Sequence, residues 1–198
     1  MRLALRFRTA LLILLAGFLV APAVRSVAAG PGATSPPPVL TLVAAGEPGR
    51  RVSISGQVVD TAGEPVPGAE LHVYQTDARG HYTPDRPMDE PHARLSGRLQ
   101  ADGQGRFELH TIRPGGYPKA IRLGDRDRKI PAHIHIDVSA AGYSSHKFQA
   151  VFADDPLLSD PYWQDWVKRL GQPVLSVSHQ GSAESASLKL VLHRTDAR

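Results

Sequence analysis

The sequence contains no cysteine among its 198 residues. Disulfides, thiolate metal sites, iron–sulfur clusters and cysteine nucleophiles are therefore excluded. Stability must come from a core or a metal, and any metal must be held by nitrogen and oxygen donors. An excess of one charge is also lacking once the first segment is set aside. Residues 1–29 hold Arg2, Arg6, Arg8 and Arg25 and no acid, so the 23 basic residues of the whole chain fall to 19 there, against 19 acids. A pI near 9.6 thus belongs largely to that segment, and a nucleic-acid partner, which wants a basic patch on the folded domain, is not expected. No convincing internal repeat is present. The apolar run at residues 10–24 is short of the roughly 20 residues that a bilayer-spanning helix needs.

What is present begins with that run. Arginines precede it and small residues follow it at Val27, Ala28 and Ala29, the pattern of a secretory signal peptide. The expectation is an exported chain, periplasmic or secreted, with no stable membrane insertion after cleavage. Residues 30–44, rich in Pro, Gly and Ser at their start, read as a flexible linker, and residues 45–198 as one folded domain. The mature part, on the order of 165 residues, suffices for one ordinary core.

Short alternating runs divided by Gly/Pro turns fill the domain. Residues 52–59 and 69–76 alternate, the second with Leu71 and Val73 on one face. Residues 95–99 and 106–112 flank Ala101-Asp102-Gly103-Gln104-Gly105 and read as a hairpin. Residues 113–118 read as a braced loop, and 119–130 as charged and exposed. Residues 146–152 form another strand, and 174–178 with 188–193 a final pair. One helix is expected, with Asp160 as N-cap, Pro161 at its first position and Gly171 beyond its end. Trp163, Trp166, Val167 and Leu170 would share one face. The fold class is all-β, a sandwich of mostly antiparallel strands with one short helix near the C-terminus.

Pro131-Ala132-His133-Ile134-His135-Ile136-Asp137-Val138 carries the most chemistry. Alternation makes it a strand, so both imidazoles leave one face, close enough to grip one metal ion. Taken alone, His-x-His on a strand also fits surface histidines. Tyr82 closes a turn and Tyr117 precedes Pro118, which pushes its backbone to an extended shape. If both phenols converge on the histidines, two His and two Tyr favour Fe(III), because a phenolate at neutral pH needs a strong nearby cation. Zinc usually takes His, Cys or carboxylate instead.

Several segments together resemble the intradiol ring-cleavage dioxygenase family. They are residues 56–69, 74–82, 105–118, Pro131-Ala132-His133-Ile134-His135, and Gln149 through Pro156, in the family's order and with compatible spacing. The resemblance covers about residues 52–158. It implies a β-sandwich with a mononuclear Fe(III), Tyr82, Tyr117, His133 and His135 as ligands. It also implies that Tyr117 gives way to substrate, and that Gln149 stands near the reacting ring. A catechol-type aromatic and O₂ would be consumed, the ring opening between its two hydroxyl-bearing carbons to a muconate-type diacid. Relatives are often multimeric, so a homo-oligomer is among the expectations.

Three departures accompany the resemblance. Ile130 stands where the family usually places Arg, for which Arg113, Arg122, Arg126, Arg128 or Lys129 would have to substitute. Tyr74 replaces a Trp, and the N-terminal helical region of the catechol-type members is missing. Two alternatives remain at this point. One is a non-catalytic transthyretin-like or carboxypeptidase-regulatory-like binding module, whose turns residues 56–69 also resemble. The other is an iron-binding family member with low activity.

Overall fold

The structure, a computed structural model, describes residues 36–118, 120–123 and 126–195. The expected signal peptide and the start of the linker lie outside these residues. Twelve strands and one helix follow in chain order. One five-stranded sheet contains β1 (Val39–Thr41), β2 (Arg51–Asp60), β5 (Arg106–Ile112), β11 (Ser178–Gln180) and β12 (Ala183–Leu192), in the order β1-β5-β2-β12-β11. The other contains β3 (Glu70–Gln75), β4 (Leu95–Gln100), β8 (His133–Ser139), β9 (His146–Phe152) and β10 (Val174–Leu175), in the order β10-β9-β8-β3-β4. A separate ribbon pairs β6 (Ile121–Leu123) with β7 (Arg126–Arg128). Helix α1 (Pro161–Leu170) follows β9.

Alternation places Val52, Ile54 and Val58 of β2, Phe107 and Leu109 of β5, and Leu188, Leu190 and Leu192 of β12 on one inner face. Leu71 and Val73 of β3, Ile134, Ile136 and Val138 of β8, and Phe148, Ala150 and Phe152 of β9 face them. Each such side chain contributes about 1.5–3 kcal/mol when fully buried. The two sheets close on this core as the all-β sandwich anticipated, with five antiparallel pairings and three parallel ones.

Four local expectations change. Residues 95–100 and 106–112 are not a hairpin: β4 pairs with β3 in one sheet and β5 with β2 in the other. Residues 101–105 turn the corner between sheets, with Asp102 Oδ1 accepting from the N–H groups of Gln104 and Arg106. The same turn residues serve either connection, and only packing chooses the partner. Nor do the last two segments pair together. β10 lies parallel to β9, and β12 runs parallel to β2 through nine residue pairs. Parallel ladders leave no turn signal in the sequence. Residues 39–41, expected within the linker, form β1 against β5, because Leu40 and Leu42 pack on the core and Val43 is buried. Residues 119–130 contribute the β6–β7 ribbon, described below.

The helix starts and stops where expected. Asp160 Oδ1 accepts from the Tyr162 N–H at 2.9 Å, and Gly171 ends the helix in the left-handed conformation with φ 59°. Of its apolar face only Trp163 is buried; Leu170 is exposed.

Candidate metal centre

β8 fixes two donors. Its odd-numbered side chains leave the outer face of the sheet while Ile134 and Ile136 enter the core. His133 and His135 thus stand side by side, with their Nε2 atoms 2.9 Å apart, and both are buried. His133 Nδ1 lies 2.8 Å from the Pro131 carbonyl oxygen. A carbonyl only accepts, so Nδ1 carries the proton and Nε2 presents a lone pair inward. The His135 ring stacks on Tyr74 from β3, with centroids 4.5 Å apart and planes within 6°. Tyr74 in turn donates to Glu90 Oε1 at 3.0 Å.

Two loops bring the phenols. Residues 76–82 leave β3, and Asp77 Oδ1 pins the turn by accepting from the Arg79 and His81 N–H groups at 2.8 and 3.0 Å. Residues 113–118 leave β5. The loops touch backbone to backbone: the Gly115 N–H donates to Asp77 O, and Thr76 Oγ1 donates to Gly115 O, each at 2.8 Å. A Cβ on Gly80 would sit 1.9 Å from Gly116 O, and one on Gly115 would sit 2.5 Å from Gly80 N. No other residue allows that approach, and Gly80 also has φ 83°. The contact carries Tyr82 and Tyr117 to the histidines.

The result is a closed ring of four atoms. Tyr82 Oη lies 2.7 Å from Tyr117 Oη and 2.9 Å from His135 Nε2, and Tyr117 Oη lies 3.4 Å from His133 Nε2. Donors about 2.0–2.2 Å from one ion and at right angles stand about 3 Å from each other, and the four gaps bracket that value. The residues present therefore fit a single metal ion. Among the described residues no three His, Cys, Asp or Glu side chains gather as a cage, so only a set that includes tyrosine can serve.

Electrostatics point the same way. Burial pushes both phenols above the ordinary tyrosine value, with Tyr117 adding to the effect on Tyr82. Burial also lowers His133, and lowers His135 to about 3, with His133 as second cause. Without an added cation the four groups are neutral. A multivalent ion is what would turn the phenols into phenolates at neutral pH. The two differ in exposure: Tyr82 is fully buried, whereas Tyr117 is half-buried.

A cavity of about 380 Å³ opens above the four donors. Tyr74, Glu90, Lys147 and Gln149 line one part of it. Gln149 sits opposite His135 in the β8–β9 register and lines the cavity. Ile121, Leu123, Ile130, Trp163 and Trp166 line another part.

None of the cations expected to replace the residue at position 130 lines this cavity. Arg113 bonds Glu184 and Asp154, and Arg122 bonds Asp127. Arg128 lies over the Tyr162 ring at 3.8 Å, and Lys129 donates to Pro118 O at 3.2 Å. Arg126 is also absent from the lining. Among the described residues the cation there is Lys147, whose Nζ lies 3.6 Å from Asp137 Oδ2. Sequence reasoning missed Glu90, Lys147 and the ribbon. A period of two at Ile121 and Leu123, inside an otherwise charged stretch, was the available signal. Trp163 and Trp166, expected to share one helical face, both line the cavity.

Comparison with known proteins agrees with this geometry. A family model described as dioxygenase matches residues 30–193. The chain is 34% identical over 146 residues to a chlorocatechol 1,2-dioxygenase of Rhodococcus opacus, covering 69% of this chain and 57% of that protein. It is 32% identical over 166 residues to the protocatechuate 3,4-dioxygenase beta chain of Burkholderia cepacia, covering 77% and 68%. The chain therefore spans little more than half to two thirds of these relatives' lengths. Among solved structures, the dioxygenase domain of a dioxygenase carbohydrate-binding protein fusion from Streptomyces sp. SirexAA-E matches with TM-score 0.59 and 26% identity, over 80% of this chain and 89% of that one.

Proposed function

The chain belongs to the intradiol ring-cleavage dioxygenase family, and from that premise we propose that it is an exported Fe(III) enzyme that opens a catechol-type ring between its hydroxyl-bearing carbons, using O₂. The observation that carries the proposal is the closed ring formed by Tyr82 Oη, Tyr117 Oη, His133 Nε2 and His135 Nε2 beneath a cavity. Export rests on the arginines, apolar run and small residues of positions 1–29.

These four side chains would hold the iron, which when bound supplies Lewis acidity and one-electron exchange with the aromatic and O₂. The chain's own residues divide the remaining work. Tyr82 is buried and bonded on two sides, so it stays in place. Tyr117 has the longer 3.4 Å contact to His133 and faces the cavity, so its Oη is the atom placed to take a proton from an entering catechol hydroxyl. Gln149 offers an amide beside the bound ring. The apolar lining keeps water from the ring.

Metal analysis of the purified protein with a visible spectrum, before and after addition of a catechol, tests the reading. Bound iron and a tyrosinate-to-iron band that shifts on addition are expected; a colourless protein that rejects ferric iron would refute it. Tyr117→Phe should weaken both colour and turnover, and unchanged values would remove Tyr117 from the site. Buried Ile130 in the lining favours one variant of this reading, an iron-binding member of low activity. Oxygen uptake with catechol, protocatechuate and hydroxyquinol separates the two.

A further inference from the structure

We propose that the cavity selects catechols bearing an uncharged aromatic or branched-alkyl substituent, which lies on a wall built by the β6–β7 ribbon, Ile130 and helix α1. The inference rests on the ring-cleavage reading and names its substrate class.

The cavity is asymmetric, and the sheet register sets its two parts. Tyr74 and Gln149 both pair with His135, and Lys147 pairs with Asp137 one step further along β8. That end is polar, with Glu90 joining it through Tyr74. At the other end, three residues before His133, stands Ile130, 8% exposed. Ile121 and Leu123 from β6 and Trp163 and Trp166 from α1 line the cavity with it. The two supports are joined. Arg128 on β7 stacks over Tyr162 of α1 at 3.8 Å, and its Nη1 lies 3.5 Å from Asp160 Oδ2. Arg128 is thus engaged with the helix and does not line the cavity.

Chemistry follows from that split. A volume of about 380 Å³ exceeds what one catechol ring fills and lies within the range of about 300–1,000 Å³ typical of drug-sized sites. Beyond the polar end, five apolar side chains line the cavity, and among the described residues no charged one joins them. A carboxylate there would lose its water without a partner. At the polar end it would meet Glu90, while the ammonium of Lys147 is already near Asp137. A phenyl or branched alkyl group would bury its surface against Ile121, Leu123 and the two indoles.

The chain has two tryptophans, and both line this wall, so intrinsic fluorescence reports on it directly. Full-length protein, as purified and after iron removal, is titrated with catechol, protocatechuate and 4-phenylcatechol, by calorimetry and by tryptophan fluorescence. The expected order is 4-phenylcatechol tighter than catechol by about tenfold or more, and protocatechuate weakest. Leu123→Gln should remove most of the phenyl advantage, with a smaller loss of catechol affinity. Ile130→Arg should reverse the order in favour of protocatechuate; Leu123→Gln, on a half-buried ribbon, keeps the test valid if that variant does not fold. Equal affinities for catechol and 4-phenylcatechol, or tightest binding of protocatechuate, would overturn the wall alone. Failure to bind any catechol, together with failure to retain iron, would overturn the parent reading and the wall with it.

Discussion

Two clusters of buried polar side chains occupy this domain, and they are built differently. In one, the Glu184 side chain is wholly out of water and meets Arg50 at 2.8 Å and Arg113 at 3.3 Å. Arg113 also bonds Asp154 and lies 4.4 Å above the Phe152 ring. Its charges are matched within the protein. In the other, Tyr82, Tyr117, His133 and His135 turn lone pairs toward one another with no guanidinium or ammonium bonded to them among the described residues. A buried cluster that supplies its own counter-charge is structural. One that gathers donors without a cation is built for a cation from outside.

The sharpest way to break this contrast is to remove one donor. His135→Ala should weaken iron retention by about 100-fold or more, beyond the loss seen when only supporting groups are removed. Its unfolding midpoint should change far less than that of the variant below. Metal content after dialysis and circular dichroism read the two effects separately, and iron retained at full occupancy would end the distinction. The converse variant, Arg113→Met, leaves Glu184 with Arg50 and His179. It should cost about 2–3 kcal/mol in denaturant unfolding, below the range for fully buried pairs because Glu184 keeps Arg50 at 2.8 Å. Iron binding should persist. A variant that lost its metal while keeping its stability would invert the comparison.

Gly80→Ala falls between the clusters. Its Cβ would meet Gly116 O, so the two tyrosine loops must separate. About 1–2 kcal/mol of stability should be lost, with a measurable fall in iron affinity because Tyr82 and Tyr117 move apart. Unfolding and metal titration of the same sample check both. The mildest effect is expected from acid. The bond from Arg113 holds Asp154 below its ordinary 3.8, that from Arg194 does the same for Asp60, and that from Arg94 holds Glu47 below 4.5. Depressed carboxyls stabilise the fold fully above their unfolded values and lose that contribution as pH falls through the folded ones. Stability should therefore begin to fall below about pH 6.5, where His133 and His135 are protonated in the unfolded chain and not in the fold, and fall further below about 4 as the carboxyls protonate. Followed by thermal melts, Arg113→Met should show a shallower acid decline than the parent. An equal decline would take Asp154 out of the account.

Much of the site was legible from residues alone because its signals are local. The alternation of residues 133–138 puts both imidazoles on one face whatever surrounds the strand. Pro118 and the turn before Tyr82 mark positions where a side chain can be held still. The neighbouring wall was not legible, because Ile121 and Leu123 are apolar for the sake of a cavity and not of the core. Trp163 and Trp166 show the same limit: helical periodicity reveals that they share a face but not what that face meets. The turn at residues 101–105 was recognised, yet its strands were assigned to one sheet, since a hairpin and a corner use the same turn chemistry.

By itself, the sequence determined strand and helix propensity, the ends of α1 at Asp160 and Gly171, the absence of thiol ligands, and the donor types on offer. Those depend on neighbours a few bonds away. Tertiary structure alone decided that β12 lies parallel to β2, that β4 and β5 part into different sheets, and that two phenols 35 residues apart meet at 2.7 Å. Such contacts depend on which surfaces bury each other and on glycines that let two backbones touch, and both are properties of the packed chain.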